Sequence, residues 1–201
     1  MHGRICAQCC GEQREVTLDC PSECVYLQQA RENEKPRDGG DLDREALFPD
    51  VEVNEQFIYE HEHLILGLSF ALAKSARANR SLFDSDLIAA LSAVAKSYRT
   101  LVNSSLIYEQ PSTNIAHQAV GGEIETMVKE YREAEQKHVG YVRLRDSEVL
   151  KALVFILRMA ISRTSGRPKS RAFEDFLIAQ FPEKESAIAT PAEAGSRIIV
   201  P

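Results

Sequence analysis

Residues 146–161 read D-S-E-V-L-K-A-L-V-F-I-L-R-M-A-I, and this stretch decides the fold. On a helix, its apolar residues leave almost no polar face, and a helix that is apolar nearly all round is buried by its neighbours. Asp146 or Ser147 can supply the N-cap oxygen at its start. The stretch therefore predicts a helix at the centre of a bundle.

Three amphipathic segments precede this helix, and a shorter apolar segment follows it. Each of the three places apolar residues at three- and four-residue steps, the spacing of one helix face. Residues 51–182 are therefore predicted to form an all-α, up-down antiparallel bundle of four main helices and a short fifth, joined by short loops. The four faces contain Phe57, His61, Leu64, Leu68 and Leu72; Leu87, Leu91, Val94, Tyr98 and Leu101; Ala116, Val120, Ile124, Met127, Tyr131 and Ala134; and Phe173, Phe176, Leu177 and Phe181.

Short polar residues and glycine mark where these helices begin and end. Asp50 or Asn54 can cap the first helix, Asp84 the second and Ser170 the fifth. Gly140 is expected to terminate the third, because glycine readily takes the left-handed conformation that ends a helix.

A cysteine cluster lies far from the bundle in the sequence. Residues 6–24 read C-A-Q-C-C-G-E-Q-R-E-V-T-L-D-C-P-S-E-C and contain all five cysteines of the chain. Cys6 and Cys9 form a C-x2-C pair, and Cys20 and Cys24 form a C-x3-C pair. Two such pairs are typical of a closed, tetrahedral Zn²⁺ site with four thiolate ligands. These four cysteines are therefore predicted to bind structural zinc in a module spanning residues 1–30.

The residues around the pairs favour a small ribbon-like or treble-clef-like module. Residues 14–18 alternate polar and apolar side chains, which predicts a short strand between the pairs. Gly11 suits a turn after the first pair, and Pro21 suits the first position of a helix that places Cys20 and Cys24 one turn apart.

Other uses of the thiols stay open. Cys10 is a fifth thiol that could replace Cys9 as a ligand. The same four thiolates could hold an iron-sulfur cluster, or the cysteines could form disulfides or stay free. Residues 1–5 lack the apolar core of a signal peptide, so we expect a cytoplasmic location in which thiols stay reduced.

The cysteine pattern resembles the opening of uncharacterised bacterial proteins that carry C-x2-C-C-G followed by C-P-x-x-C-x-Y-L. The matching residues are Cys6, Cys9, Cys10, Gly11, Cys20, Pro21, Cys24, Tyr26 and Leu27. A second short stretch, residues 105–109 with Pro111, is similar to the same group. The resemblance implies a bacterial origin and no activity.

Composition limits the partners. The chain has 201 residues, of which 44% are hydrophobic and 27% charged, as in an ordinary globular protein. Its longest apolar run, residues 152–157, is too short to span a bilayer, so we expect no membrane contact. The net charge of −6 argues against general affinity for nucleic acid.

The charge is unevenly distributed along the chain. Residues 1–50 carry 6 Lys/Arg and 11 Asp/Glu, a balance of −5, whereas residues 143–171 carry 8 Lys/Arg and 2 Asp/Glu, a balance of +6. Residues 163–171, called the basic loop below, contain Arg163, Arg167, Lys169 and Arg171. This loop is either a solvated surface or a docking site for phosphate, RNA, an acidic protein partner or the chain's own N-terminal module.

Two polar segments complete the organisation. Residues 31–50 are broken by proline and glycine, and predict a flexible linker. Residues 183–201 are rich in alanine, glutamate, threonine and proline, and predict a disordered tail.

The sequence contains one pattern of a di-iron bundle, Glu-x-x-His, at Glu60 with His63 and at Glu135 with His138. In an up-down bundle these pairs would lie at opposite ends, which argues against a shared site. A cluster of His61, Glu109 and His117 at one end is the easier geometry for a polar site.

No phosphate loop, nucleophile elbow or H-E-x-x-H motif is present in the sequence. The favoured function is therefore a non-enzymatic, zinc-stabilised helical protein that binds another macromolecule. The alternative is a metal-dependent or redox enzyme with iron on the cysteines or in the bundle. A third hypothesis is nucleic-acid binding through the basic loop with the cysteine module as a clamp, which the acidity of the module disfavours.

Overall fold

The computed structural model describes residues 5–33, 45–104 and 113–182. Over these ranges the chain forms eight α-helices, one short 3-10 helix over Glu45–Leu47, and no β-strand, which confirms the all-α class. The tail predicted for residues 183–201 lies outside these ranges. The α-helices are α1 Ala7–Gln13, α2 Val25–Asn33, α3 Glu55–Glu60, α4 Glu62–Ala78, α5 Asp84–Ser104, α6 Ile115–Val139, α7 Asp146–Arg163 and α8 Ala172–Gln180.

The helix α7 lies at the centre of the bundle, as its sequence predicts. Its residues Ala152, Leu153, Val154, Ile156 and Leu157 have no exposed surface. It packs against α4, α5 and α8. Burial of this apolar segment supplies a large share of the favourable free energy of folding, because each large aliphatic side chain contributes about 1.5–3 kcal/mol when it leaves water.

The helix directions differ from the predicted up-down order, because α5 and α6 run parallel. Asp86 Oδ1 lies 2.9 Å from His117 Nε2 near the start of both helices. Further along α5, a Cβ added at Gly121 of α6 would lie 3.6 Å from Val94 Cγ2. Residue numbers therefore rise together along the two helices. The connection between them includes residues 105–112, which lie outside the described ranges.

The helix α4 runs antiparallel to α6 and approaches it closely. Lys74 Nζ donates a hydrogen bond to Glu123 Oε2 at 2.8 Å, and earlier in α4 Gly67 faces Met127, which is later in α6. A Cβ at Gly67 would lie 2.9 Å from Met127 Cε. The lack of a side chain at this position lets Met127 pack against the backbone of α4.

One predicted helix is two in the structure, because the chain breaks at His61. The helix α3 ends at Glu60 and α4 begins at Glu62, with His61 at φ −113° and ψ 24°. The cap at Asn54 is confirmed, since its side-chain oxygen accepts a hydrogen bond from Phe57 N at 2.8 Å. Gly140, at φ 87°, ends α6 as predicted.

Residues 45–51 pack onto the bundle, although most of them were predicted to belong to the linker of residues 31–50. Phe48 has no exposed surface, and Val51 is also buried. Arg158 of α7 donates hydrogen bonds to the carbonyl oxygens of Leu47, Phe48 and Val51 at 2.7–2.9 Å. A single core aromatic among polar residues is a weak sequence signal, so the sequence does not indicate that packing onto the bundle begins before residue 51.

None of the helices in the described part of the chain is both long and apolar enough to cross a membrane.

Candidate metal centre

The first cysteine pair lies at the start of α1 rather than in a knuckle. Cys6 is the N-cap of α1, and its Sγ accepts a hydrogen bond from Cys9 N at 3.2 Å. Cys9, Cys10 and Gly11 are all within the helix, so Gly11 does not form the predicted turn. Cys6 and Cys9 are therefore separated by less than one helical turn and face the same end of α1.

The strand predicted for residues 14–18 is a turn in the structure. Arg14 and Leu18 form one isolated bridge, and the three residues between them turn. The carbonyl oxygen of Gln13 accepts hydrogen bonds from the amides of three of the following residues, at 3.1–3.2 Å. Glu15 has a φ of 56°, the left-handed conformation that reverses the chain after a helix. An alternating segment needs a neighbouring strand to pair with, and the described residues contain no β-strand.

The second pair flanks a tight turn that leads into α2. Cys24 N donates to Pro21 O at 3.0 Å, and Cys24 O accepts from Gln28 N at 3.0 Å. The helix begins at Val25 rather than at Pro21 as predicted. Cys24 therefore lies directly before α2, and Cys20 lies on the other side of the turn.

All five thiols are free, with Cys6 and Cys9 exposed and Cys10, Cys20 and Cys24 partly buried. Hydrogen bonds from the side chain and the backbone amide of Cys9 lower the pKa of the Cys6 thiol. The hydrogen bond to Cys6 raises the pKa of the Cys9 thiol. Of the two thiols, Cys6 therefore loses its proton more readily, and the thiolate is the form that binds metal.

The four predicted ligands do not converge on one point. No group of three or more His, Cys, Asp or Glu side chains in the described ranges is arranged to hold a metal ion. The donor set suits Zn²⁺ in number and chemistry, since four thiolates complete a tetrahedral shell. In the described ranges these four thiols are not arranged to share one ion.

A buried carboxylate joins the N-terminal residues 5–33, called the cysteine module below, to the basic loop. Glu15 is only 2% exposed. Its Oε1 accepts a hydrogen bond from Arg31 Nη2 at 2.8 Å, and its Oε2 accepts one from Ser165 Oγ at 2.9 Å. Its carbonyl oxygen accepts from Lys169 N at 2.8 Å. Glu15 is therefore a polar anchor between the module and the loop.

The basic loop binds mainly backbone carbonyls of the module. Arg167 Nη1 donates to Arg14 O at 2.8 Å and to Gly11 O at 3.4 Å, and Lys169 Nζ donates to Thr17 O at 2.6 Å. Gly11 and Arg14 are at the C-terminal end of α1, where the helix dipole favours positive charge. Because these contacts are made to backbone carbonyl oxygens, the net negative charge of the module does not indicate where the loop binds.

The helix α8 and the residue before it contact the residues around the second cysteine pair. Arg171 forms a hydrogen-bonded ion pair with Asp19, and this pair lowers the pKa of the Asp19 carboxyl. Asp175 accepts hydrogen bonds from Ser22 Oγ at 2.7 Å and from Arg31 Nη1 at 2.6 Å. Cys20 lines a cavity of about 940 Å³ between this part of the module, the end of α4 and α8.

Glu15, Arg31 and Asp175 are key residues of this interface that the sequence did not indicate. Each is one charged residue among many, and the chain has 24 Lys/Arg and 30 Asp/Glu. Only their burial and their mutual contacts distinguish them from solvated charges, and neither can be derived from local sequence.

The predicted polar clusters of the bundle are corrected by the structure. Glu60 and Glu135, expected at opposite ends, line the same cavity of about 910 Å³ together with His61, because α4 and α6 are antiparallel. His63 and His138 do not line it. The di-iron pattern is therefore at one end of the bundle, but its histidines are not brought to the carboxylates.

The other proposed cluster is separated by the fold. His61 lies 3.9 Å from Glu148 Oε1 at the start of α7, whereas His117 contacts Asp86 at the start of α5. Asp84, at the start of α5, accepts a hydrogen bond from Ser170, which follows α7 in the chain, so α5 and α7 are antiparallel and their starts lie at opposite ends of the bundle. Glu109 lies outside the described ranges.

The buried carboxyl group of Glu174 makes the stability of the folded chain depend on pH. The side chain is 6% exposed, and burial raises its pKa to about 8 despite the charge of Arg171 at 3.7 Å. Because the folded pKa is above the unfolded value of 4.5, the folded state binds the extra proton and stability falls as pH rises from about 4.5 to 8. The carboxyls of Asp19, Asp84 and Asp175 raise the pKa further.

We expect Glu174→Gln to remove this pH dependence. The free energy of unfolding in urea should be measured at pH 5.5 and at pH 8.5. Between these pH values it should decrease in the wild type by on the order of 2 kcal/mol more than in the variant. Glu62→Gln, an exposed acid in the first turn of α4, is the control and should behave like the wild type. Parallel pH curves for the wild type and Glu174→Gln would contradict the assignment.

Comparison of the chain with protein-family models, with curated proteins and with solved structures gives no match.

Proposed function

We propose that Cys6, Cys9, Cys20 and Cys24 bind one Zn²⁺, and that the zinc-stabilised cysteine module is docked on the helical bundle as a non-enzymatic interaction module. The observation that carries this proposal is the presence of two pairs of free thiols, one at the start of α1 and one flanking the turn that leads into α2. Four cysteine thiolates make a closed, tetrahedral structural zinc site.

The basic loop has its partner within the chain in this proposal. Arg167, Lys169 and Arg171 donate hydrogen bonds to the cysteine module, whereas Arg163 instead lies over the ring of Phe176, 3.7 Å from its centroid. The loop therefore serves to dock the module.

A protein partner would use the outer side of the module. On α2, Val25 and Tyr26 are exposed, while the adjacent Leu27 is buried. Exposed aromatic and aliphatic side chains of this kind are common at the centres of protein interfaces.

Metal analysis of the purified full chain tests the zinc site. We expect one zinc per chain and no visible colour in the wild type. Cys9→Ser should lose zinc, whereas the matched variant Cys10→Ser should keep it, because C-x2-C spacing suits a shared ion and Cys10 is the extra thiol.

Three results would change the assignment. A brown protein with iron and sulfide would indicate the iron-sulfur alternative. Loss of zinc in Cys10→Ser with retention in Cys9→Ser would replace Cys9 by Cys10 as a ligand. A wild-type protein without metal would contradict the proposed function.

A further inference from the structure

We propose that the cavity between the cysteine module, the end of α4 and α8 binds a small aliphatic amine, and that the carboxyl group of Glu174 accepts a hydrogen bond from its ammonium group. This inference goes beyond the proposed function and does not depend on a metal or on the cysteines. It rests on a buried carboxyl group that lines the cavity and has an oxygen without a hydrogen-bond partner.

Glu174 is a buried residue in the wall of this cavity. Its side chain is 6% exposed, and it lines the cavity, whose volume is about 940 Å³. Its Oε2 has no hydrogen-bond partner among the described residues. Arg171 Nε lies 3.7 Å from this oxygen, which is too far for a hydrogen bond. Buried polar atoms without a partner are uncommon in folded proteins, and a bound ligand can supply the missing donor.

Hydrogen bonds on both sides fix the position of this carboxyl group. Glu174 N donates to Asp84 Oδ1 at 3.0 Å, and Asp84 also accepts from Ser170 Oγ at 2.7 Å. The next residue, Asp175, accepts hydrogen bonds from two side chains of the cysteine module. This part of the wall therefore has little conformational freedom to lose when a ligand binds, which favours affinity.

The surroundings of Glu174 favour a positive charge in the ligand. Burial raises its pKa to about 8, although Arg171 lowers it, and the carboxyl groups of Asp175, Asp84 and Asp19 add to the rise. Both causes make the ionised carboxylate costly without a cation close to it. An ammonium group in the cavity would supply that cation together with the missing hydrogen-bond donor.

The arginines that line the cavity do not supply that donor. Arg171 forms its hydrogen-bonded ion pair with Asp19, and Arg77 donates to two backbone carbonyl oxygens at the C-terminal end of α8. Arg80 is exposed, so solvent screens its repulsion of a cationic ligand.

The remaining wall suits an aliphatic chain. Pro21 of the cysteine module, Ala76 of α4 and Ile178 of α8 line the cavity together with Pro182. Binding sites for small molecules commonly combine such an apolar lining with a few fixed polar groups. The geometry therefore fits an amine with a short hydrocarbon chain.

The test measures binding of n-butylammonium chloride to the full wild-type chain, with 1-butanol as the uncharged probe of equal chain length. Methyl NMR at pH 8.5 follows Ala76 and Ile178, because most of the Glu174 carboxyl is ionised there and an alkylamine, like lysine, keeps its charge. We expect saturable shifts of these methyl groups with butylammonium, and about tenfold weaker binding of 1-butanol. The methyl group of Ala95, in the core of the bundle away from the cavity lining, should not shift.

Glu174→Gln keeps the shape of the side chain and should weaken butylammonium binding by about tenfold without changing the binding of 1-butanol. Glu62→Gln removes the same charge from an exposed position outside the cavity lining and should bind both probes like the wild type. The absence of saturable shifts in the wild type, equal affinity for the two probes, or unchanged butylammonium binding in Glu174→Gln would each overturn the inference. None of these results depends on whether the chain holds zinc, so the proposed function is tested separately.

Discussion

Replacing Asp84 by alanine is expected to lower the free energy of unfolding by about 4 kcal/mol. Asp84 has no exposed surface. Its carboxylate accepts hydrogen bonds from Ser170 Oγ at 2.7 Å, from Glu174 N at 3.0 Å and from Phe173 N at 3.1 Å. The substitution would leave these donors unsatisfied in the interior, and each unsatisfied buried group costs about 1–3 kcal/mol.

Asp84 was predicted to cap its own helix, but it caps α8 instead. The two amide donors belong to the first turn of α8, where the helix dipole also favours a negative charge. Because α8 holds the cysteine module through Asp175, we expect Asp84→Ala to loosen the module as well as the bundle.

Urea unfolding followed by circular dichroism measures the loss. Glu62→Ala is the control, since Glu62 is also an acid in the first turn of a helix but is exposed. We expect the control to change stability by less than about 0.5 kcal/mol. A loss below about 1 kcal/mol in Asp84→Ala would show that other groups satisfy the first turn of α8.

Replacing Cys20 by serine is expected to have the largest effect on the cysteine module. The variant should lose zinc affinity by several orders of magnitude, because three thiolates and a hydroxyl do not form the closed site and because metal binding contributes directly to folding. Hydrogen exchange of residues 5–33 should rise toward the rate of an unfolded chain, as it should when the wild type is treated with a chelator.

The bundle should keep most of its structure in the same experiment. Helices α1 and α2 have 7 and 9 residues, whereas α4 to α7 have 17, 21, 25 and 18. The helical circular dichroism should therefore fall only slightly. Cys10→Ser is the control and should match the wild type. A cooperative loss of all helicity on chelation would show that the module and the bundle fold as one unit.

The sequence predicted those parts of the fold that depend on local patterns. The nearly uniform apolar character of residues 146–161 indicated the buried α7, and Asn54 and Gly140 marked helix ends by their capping chemistry. The sequence does not indicate the parallel order of α5 and α6. The apolar face of a helix shows that another helix packs against it, but not in which direction that helix runs. The break at His61 has no residue such as proline to signal it.

The candidate site was predicted only as a set of residue types. Cysteine spacing indicates a metal, but it did not show that Cys6 begins a helix or that residues 14–18 turn through Glu15. The contacts of Glu15 with Ser165 and of Ser22 with Asp175 join residues about 150 positions apart in the chain. Such contacts depend on the assembled fold, and no pattern of neighbouring residues indicates them.

The coordination of zinc in the purified wild-type chain tests the central claim most directly. X-ray absorption at the zinc edge counts the ligand atoms and measures their distances. The proposed site predicts one zinc per chain with four sulfur ligands at about 2.3 Å. A shell dominated by nitrogen or oxygen at about 2.0–2.1 Å, or a chain that binds no zinc, would contradict it.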